Sequence, residues 1–201
     1  MATLLYIQSS IFQENGQSSQ LASRFIDTLQ TQQPDINVIT RDVVADNLPH
    51  IDAVIAGAFF TPEADRSNEQ QAIVERSDNL IAEVKKADYI VIGLPMYNFG
   101  IPSQLKAYFD QIARAGITFK YTENGAVGLI EDKPVYLLTT RGGVHKDNGD
   151  FEVPYVKEYL SFLGLNSVET IYAEGLNMGE EIADKTRDAA TNAVIAAASQ
   201  L

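Results

Sequence analysis

The stretch DYIVIGLPMYNFGIPSQLKAYFD, residues 88–110, decides the fold. It is continuously apolar from Tyr89 through Leu94, as a strand must be when both of its faces are covered. Pro95 then fixes φ, and Pro102 suits the first turn of a helix predicted over 102–114. Between the two prolines lie Met96, Tyr97, Asn98, Phe99 and Gly100, where a buried strand would ordinarily end in a polar turn. Gly100 is expected to permit a tight turn. Backbone restrained in this way could hold amides and aromatic faces against a flat ring. The same residues could instead plug the space under a neighbouring loop.

Similar strand and helix segments flank this unit. TLLYIQ (3–8), INVITRDV (36–43), PVYLLTT (134–140) and SVETIYA (167–173) read as strands. Helical spacing runs over 17–32, where Leu21, Phe25 and Leu29 fall four apart, and over 69–86, with Ile73, Leu80, Ile81 and Val84 on one face. It returns over 151–163 and in the alanine-rich 179–199. Five strands alternating with five helices predict an α/β fold, an open doubly wound parallel sheet with helices on both faces. Residues 44–68 and 116–132 are predicted as long connections, of a length that is usually either functional or disordered. One domain over 1–201 is expected.

Composition narrows the partners. The 201 residues are 45% hydrophobic and 21% charged, ordinary values for a globular chain. No apolar run approaches the length of a membrane span. The opening MATLLYIQSS lacks the features of a secretory signal and reads as the first strand. The absence of cysteine excludes disulfides, thiolate catalysis and thiolate-held metals, and suits the cytoplasm; no metal site is expected. A formal charge of −12 argues against nucleic acid and anionic membranes. Small anions remain accessible to helix N-termini.

In an open sheet of this kind the ligand sits beyond the carboxyl ends of the strands, where strand order switches. Three loops are therefore informative. SSIFQENGQSSQ (9–20) surrounds Gly16 with Ser9, Ser10, Ser18 and Ser19 and runs into a helix. Hydroxyls and free N–H groups there could cradle a phosphate, or the serines could simply cap the helix. The loop has neither a Walker sequence nor GxGxxG. The second loop is PMYNFGIP. The third, TTRGGVHKDNGD (139–150), places Thr140 and Arg141 before adjacent Gly142 and Gly143, whose backbone can approach a ligand closely. Arg141 could equally serve as a partner for an acid, and His145 reads as structural on its own evidence. A phosphate cradle, an aromatic wall and a bed of amides together suit a phosphorylated flat heteroaromatic cofactor, and flavin mononucleotide (FMN) matches each part.

PMYNFGIPSQLKAYFDQIARAGITFKYTENG (95–125) and TTRGGVHKD (139–147), with looser matches in 9–20 and YAEGLNMG (172–179), give the chain a resemblance to bacterial FMN-dependent NADH:azoreductases. These are flavodoxin-like homodimers that also reduce quinones. The resemblance runs nearly end to end and implies a flavodoxin-like three-layer fold with strand order 2-1-3-4-5. It implies FMN contacts at Ser10, Gly16, Gln17 and Ser18 for the phosphate and ribityl chain, at Met96, Tyr97, Asn98 and Phe99 for the ring, and at Thr140, Arg141, Gly142 and Gly143 for its pyrimidine end. Gly16 departs from the family, which frequently has serine there, and so lacks one hydroxyl.

The resemblance further implies that NADH reduces the flavin, that a quinone or azo compound follows in ping-pong order, and that no protein side chain is itself the catalyst. It places the substrate pocket at a dimer interface that the loops 44–68 and 116–132 help to build. Phe60, Phe119, Tyr121, His145 and Phe162 are its candidate lining. The competing reading is a flavodoxin-like FMN electron carrier that reduces no small molecule directly, which would not need the long aromatic loops. A receiver domain would need acids after the first strand, where this chain has Gln8, Ser9 and Ser10, and a serine hydrolase would need a GxSxG elbow that is absent.

Overall fold

The computed structural model describes residues 1–147 and 149–201. Its centre is a parallel sheet of β1 (Thr3–Gln8), β2 (Asn37–Asp42), β3 (Tyr89–Pro95), β6 (Val135–Thr140) and β7 (Val168–Ala173), in the order β2-β1-β3-β6-β7. All of its pairings are parallel. This is the predicted order once two additional strands are set aside. Those two, β4 (Phe119–Thr122) and β5 (Gly125–Gly128), form an antiparallel hairpin inside the segment read as a plain connection.

The side-chain alternation of the strands builds two cores, one on each face. Leu5, Ile7, Ile90, Ile92, Leu94, Val135 and Leu137 face one layer, formed by α3 (Asn68–Lys86), α4 (Ser103–Ile112) and α5 (Glu152–Leu163). Leu4, Tyr6, Val91, Tyr136 and Leu138 face the other, formed by α1 (Gln17–Gln32) and α6 (Glu180–Ala198). Central β3 and β6 are buried almost throughout, which is why their sequences are apolar runs.

Among the described residues there are six α-helices rather than the five predicted. The extra one, α2 (Ala53–Phe60), lies in the 44–68 connection and is capped by the Asp52 carboxylate, which accepts from the Ile55 N–H at 2.8 Å. AVIAGAFF is apolar along its whole length and so shows no 3.6-residue stripe; the cap was its one signal. α3 begins with a capping box in which the Ser67 side chain accepts from Gln70 N–H and the Gln70 side chain accepts from Ser67 N–H.

Candidate functional site

Strand order reverses between β1 and β3, and the loops after β1, β3 and β6 meet at that edge. They border a cleft of about 250 Å³ lined by Ser10, Phe12, Gln17, Pro95, Met96, Tyr97, Thr140, Arg141, Gly142, Leu176 and Asn177. A larger groove of about 470 Å³ opens between α1 and α6 and shares Gln17 and Thr140 with it.

The β1 loop brings α1 to the cleft with Gly16 as its N-cap and no side-chain cap, so among the described residues the first-turn N–H groups of Gln17, Ser18 and Ser19 are uncommitted. Not all four serines face the ligand side. Ser9 Oγ donates to the Gly93 carbonyl at 2.6 Å, while Ser18 and Ser19 are buried and the Ser18 hydroxyl has no partner among the described residues. Ser10 accepts from Phe12 N–H at 3.2 Å and lies 3.4 Å from the Tyr97 hydroxyl. That hydroxyl accepts from Ile11 N–H at 3.2 Å, tying the first loop to the second. A Cβ at position 16 would lie 2.1 Å from Ser10 Oγ, so the glycine and Ser10 are matched, and the Ser10 hydroxyl occupies the space a serine at 16 would need.

The second loop is a two-residue turn. Tyr97 N–H donates to the Gly100 carbonyl at 2.9 Å and Gly100 N–H returns to the Tyr97 carbonyl at 3.1 Å. The left-handed residues are Asn98 (φ +51°) and Phe99 (φ +68°), the pattern of a type I′ turn. Gly100, expected to provide the turn, is not left-handed, and an added Cβ there would meet nothing within 4 Å. A left-handed phenylalanine costs on the order of 1–2 kcal/mol, strain of the kind that collects at functional sites. It presents a ring that is 64% exposed and meets His145 edge-on at 5.7 Å.

The third loop starts level with the second, because β3 and β6 pair Pro95 with Thr140 and Met96 N–H donates to the Thr140 carbonyl at 3.0 Å. The carbonyls of Arg141, Gly142 and Gly143 accept from Leu176, Asn177 and Gly175 N–H groups at 3.1, 3.0 and 2.9 Å. Among the described residues the N–H groups of Gly142 and Gly143 donate to nothing. The paired glycines thus leave two backbone donors open. A Cβ on Gly142 would stand 2.6 Å from Asn177 Nδ2, and one on Gly143 would stand 2.9 Å from His145 Nε2.

The Arg141 side chain turns the other way and is fully buried. Its guanidinium meets Asp150 at 2.9 Å, Glu174 at 3.0 Å and Glu152 at 3.3 Å, so Arg141 offers the cleft its backbone and spends its charge inside the fold. Burial pushes the Glu152 carboxyl up to about 8, against the opposing pull of Arg141. Glu152 is therefore largely neutral at pH 7, which limits the excess negative charge of a cluster with three acids and one base.

Of the candidate pocket residues, only His145 lies against these loops. Phe60 and Tyr121 are 79% and 76% exposed, at the end of α2 and on β4. Phe119 is buried, packed on Phe162 at 4.2 Å and edge-on to Tyr121 at 5.5 Å. None of these four, nor His145, is among the residues that line the cleft of their own chain. Sequence reading missed Asp150, Glu152 and Glu174 as organisers and the Tyr97 tie to the first loop; the acid in YAEG was the visible signal for Glu174. Among the described residues no group of acids or histidines is arranged to hold a metal, and no helix is long and apolar enough to cross a membrane.

A family model described as flavodoxin-like fold matches residues 2–197. A Cellvibrio japonicus protein named FMN-dependent NADH:quinone oxidoreductase is 56% identical over 182 residues, covering 90% of this chain and 92% of that one. A Burkholderia lata protein named FMN-dependent NADH:quinone oxidoreductase 6 is 50% identical, covering 98% and 100%. Among solved structures, the azoreductase from Bacillus anthracis strain Sterne superposes with a TM-score of 0.92 at 29% identity, over 100% of both chains. An FMN-dependent NADH-azoreductase from Bacillus anthracis strain Ames Ancestor, in complex with FMN, superposes with a TM-score of 0.90 at 26% identity, over 100% of this chain and 99% of that one. The chain thus belongs to the flavodoxin-like family, among relatives named FMN-dependent NADH:quinone oxidoreductases.

Proposed function

We propose that the protein is an FMN-dependent oxidoreductase that uses NADH to reduce quinones and aromatic azo compounds. The observation that carries this reading is the pair of Gly142 and Gly143 N–H groups, without partners among the described residues, in a loop whose Gly142 lines a cleft that also receives Gln17 at the N-terminus of α1. Relatives named for this reaction support it. So does the fit: the donors are backbone amides and hydroxyls, suited to a single phosphate and a ring with carbonyl edges, and a Cβ on Gly142 would crowd Asn177 beside the cleft.

In this reading Ser10, with the backbone of Gly16, Gln17 and Ser18 at the positive end of α1, holds the phosphate and ribityl chain. Met96, Tyr97, Asn98 and Phe99 hold the ring, and the strained turn sets Phe99 at its edge. Thr140, Arg141, Gly142 and Gly143 lie against the pyrimidine end, the amides of the glycines aimed where negative charge develops on reduction. When bound, FMN supplies a carrier that accepts hydride from NADH and delivers it to the acceptor. The chain orients the reactants, and no side chain acts as base or nucleophile. Donor and acceptor use one opening in turn, a ping-pong order.

The working unit is a homodimer in this reading. The exposed aromatic rings Phe60 and Tyr121, with Val54 on the same helix as Phe60, are apolar surface that a second copy would cover. That copy would bring Phe60, Tyr121, Phe162 and the Phe119 behind them towards the cleft, completing with His145 a pocket for flat acceptors. We assign the enzyme to the cytoplasm, where NADH is available. Steady-state NADH oxidation with menadione and with methyl red tests the activity. A colourless protein that takes up no FMN, or a yellow one that turns over neither acceptor, refutes it.

A further inference from the structure

We propose that Glu174 is the positioning residue that pre-forms the amide bed of the cleft, by gathering on one carboxylate oxygen the side chain of Arg141 and the backbone of His145 and Lys146. The inference rests on the flavin reading of the cleft. Glu174 Oε1 accepts from Arg141 Nη1 at 3.0 Å and from the N–H groups of His145 and Lys146 at 2.8 Å each. Its side chain is only 12% exposed, so these bonds are sheltered from competing water.

The need for such a clamp follows from the sequence of the loop. Adjacent glycines are the least restrained pair a chain can offer, and ordering them costs more entropy than ordering any other residues. Gly142 and Gly143 have no side chains with which to hold themselves. Their carbonyls are held by Asn177 and Gly175 on one side, and the chain just beyond them is held by Glu174 on the other. The clamp also reaches the far end of the loop. Arg141 Nη2 donates to Asp150 Oδ1 at 2.9 Å, and that same oxygen accepts from the N–H groups of Glu152 and Val153 at 3.1 Å each, at the start of α5. Arg141 thereby links two carboxylates, each of which caps backbone at one end of the 141–153 segment. His145 is placed by the same device: Glu174 fixes its N–H, and its imidazole then lies over Gly143 and against the Phe99 ring. An ion pair serving stability alone would not need its carboxylate oxygen shared with two loop amides.

Two measurements test the role. Amide hydrogen exchange on the wild-type apoprotein should find His145 and Lys146 protected before any cofactor is added; exchange at free-loop rates would overturn the proposal. FMN titration, followed by flavin fluorescence, should find Kd raised about 10- to 100-fold in Glu174→Ala, the loss of roughly two hydrogen bonds of organisation. Glu174→Gln, which keeps an acceptor oxygen of the same shape, should recover most of that loss, and the midpoint potential of the bound flavin should shift in Glu174→Ala and return in Glu174→Gln. A Glu174→Ala protein that melts lower yet binds FMN with wild-type Kd and potential would show a merely structural ion pair and overturn the positioning role, leaving the flavin reading intact. A wild type that binds no FMN would overturn both. If Glu174→Ala does not fold, the wild-type exchange rates and the Glu174→Gln titration decide the matter.

Discussion

Glu152 offers the sharpest test of the buried cluster, through the pH dependence of stability. Burial raises its folded-state pKa from 4.5 to about 8, so the folded protein keeps a proton that the unfolded chain releases. The stability from this group is therefore fully present below about pH 4.5 and is lost as pH rises towards 8. The slope within that window is about 1.4 kcal/mol per pH unit, and a window of about 3.5 units gives an upper limit of about 5 kcal/mol. For a chain of this size each kcal/mol moves Tm by roughly 2–4 °C, so the full effect is about 10–20 °C. Other groups also titrate, and the charge of −12 adds its own repulsion, so the wild-type profile alone does not isolate Glu152. The comparison with Glu152→Gln does. The amide has the shape of the protonated acid and keeps an oxygen for Arg141 Nη2, 3.3 Å from Glu152 Oε2 in the wild type. The two apoproteins should melt within a few degrees of each other at pH 5.5, and Glu152→Gln should melt higher by an increasing margin up to pH 8.5. A Tm difference that stays constant across that range would show that Glu152 is ionised throughout and would refute the reasoning.

Gly142→Ala should raise the Kd for FMN more than about tenfold, because its Cβ would arrive 2.6 Å from Asn177 Nδ2 beside the cleft; Gly142→Ala with Asn177→Ala should recover part of the loss in the same titration. Tyr97→Phe removes the hydroxyl that accepts from Ile11 N–H and should weaken FMN binding by up to about tenfold, with thermal stability lowered by no more than about 1 kcal/mol. Phe119→Ala should cost about 3–4 kcal/mol of stability, since the ring is buried against Phe162. Tyr121→Ala, at an exposed site, should leave the unfolding of the monomer nearly unchanged, and if the proposed dimer forms it should shift the monomer–dimer equilibrium measured by light scattering.

The amino-acid sequence by itself determined the sheet and its layers. Strands such as YIVIGL and VYLLTT are apolar because both faces are covered, and that local property is visible residue by residue. It also marked the loops that meet at the switch in strand order by their composition, here PMYNF and TTRGG. Smaller elements were hidden where local signals were weak. Helix α2 has no stripe, and the β4–β5 hairpin is four residues a side.

Tertiary structure decided which atoms of those loops are free. Four serines look alike in sequence, yet Ser9 is spent on Gly93 and Ser18 is buried, because the depth of a hydroxyl depends on the strand and helix packed around it. Gly100 looked like the turn residue, while the left-handed backbone falls on Asn98 and Phe99, held there by the bonds between Tyr97 and Gly100. The residues left Arg141 between a ligand contact and a partner for an acid, and three carboxylates drawn from the same loop, from α5 and from beyond β7 take its side chain. The last of them, Glu174, is 33 residues away in the chain, and only folding brings it to the loop it clamps.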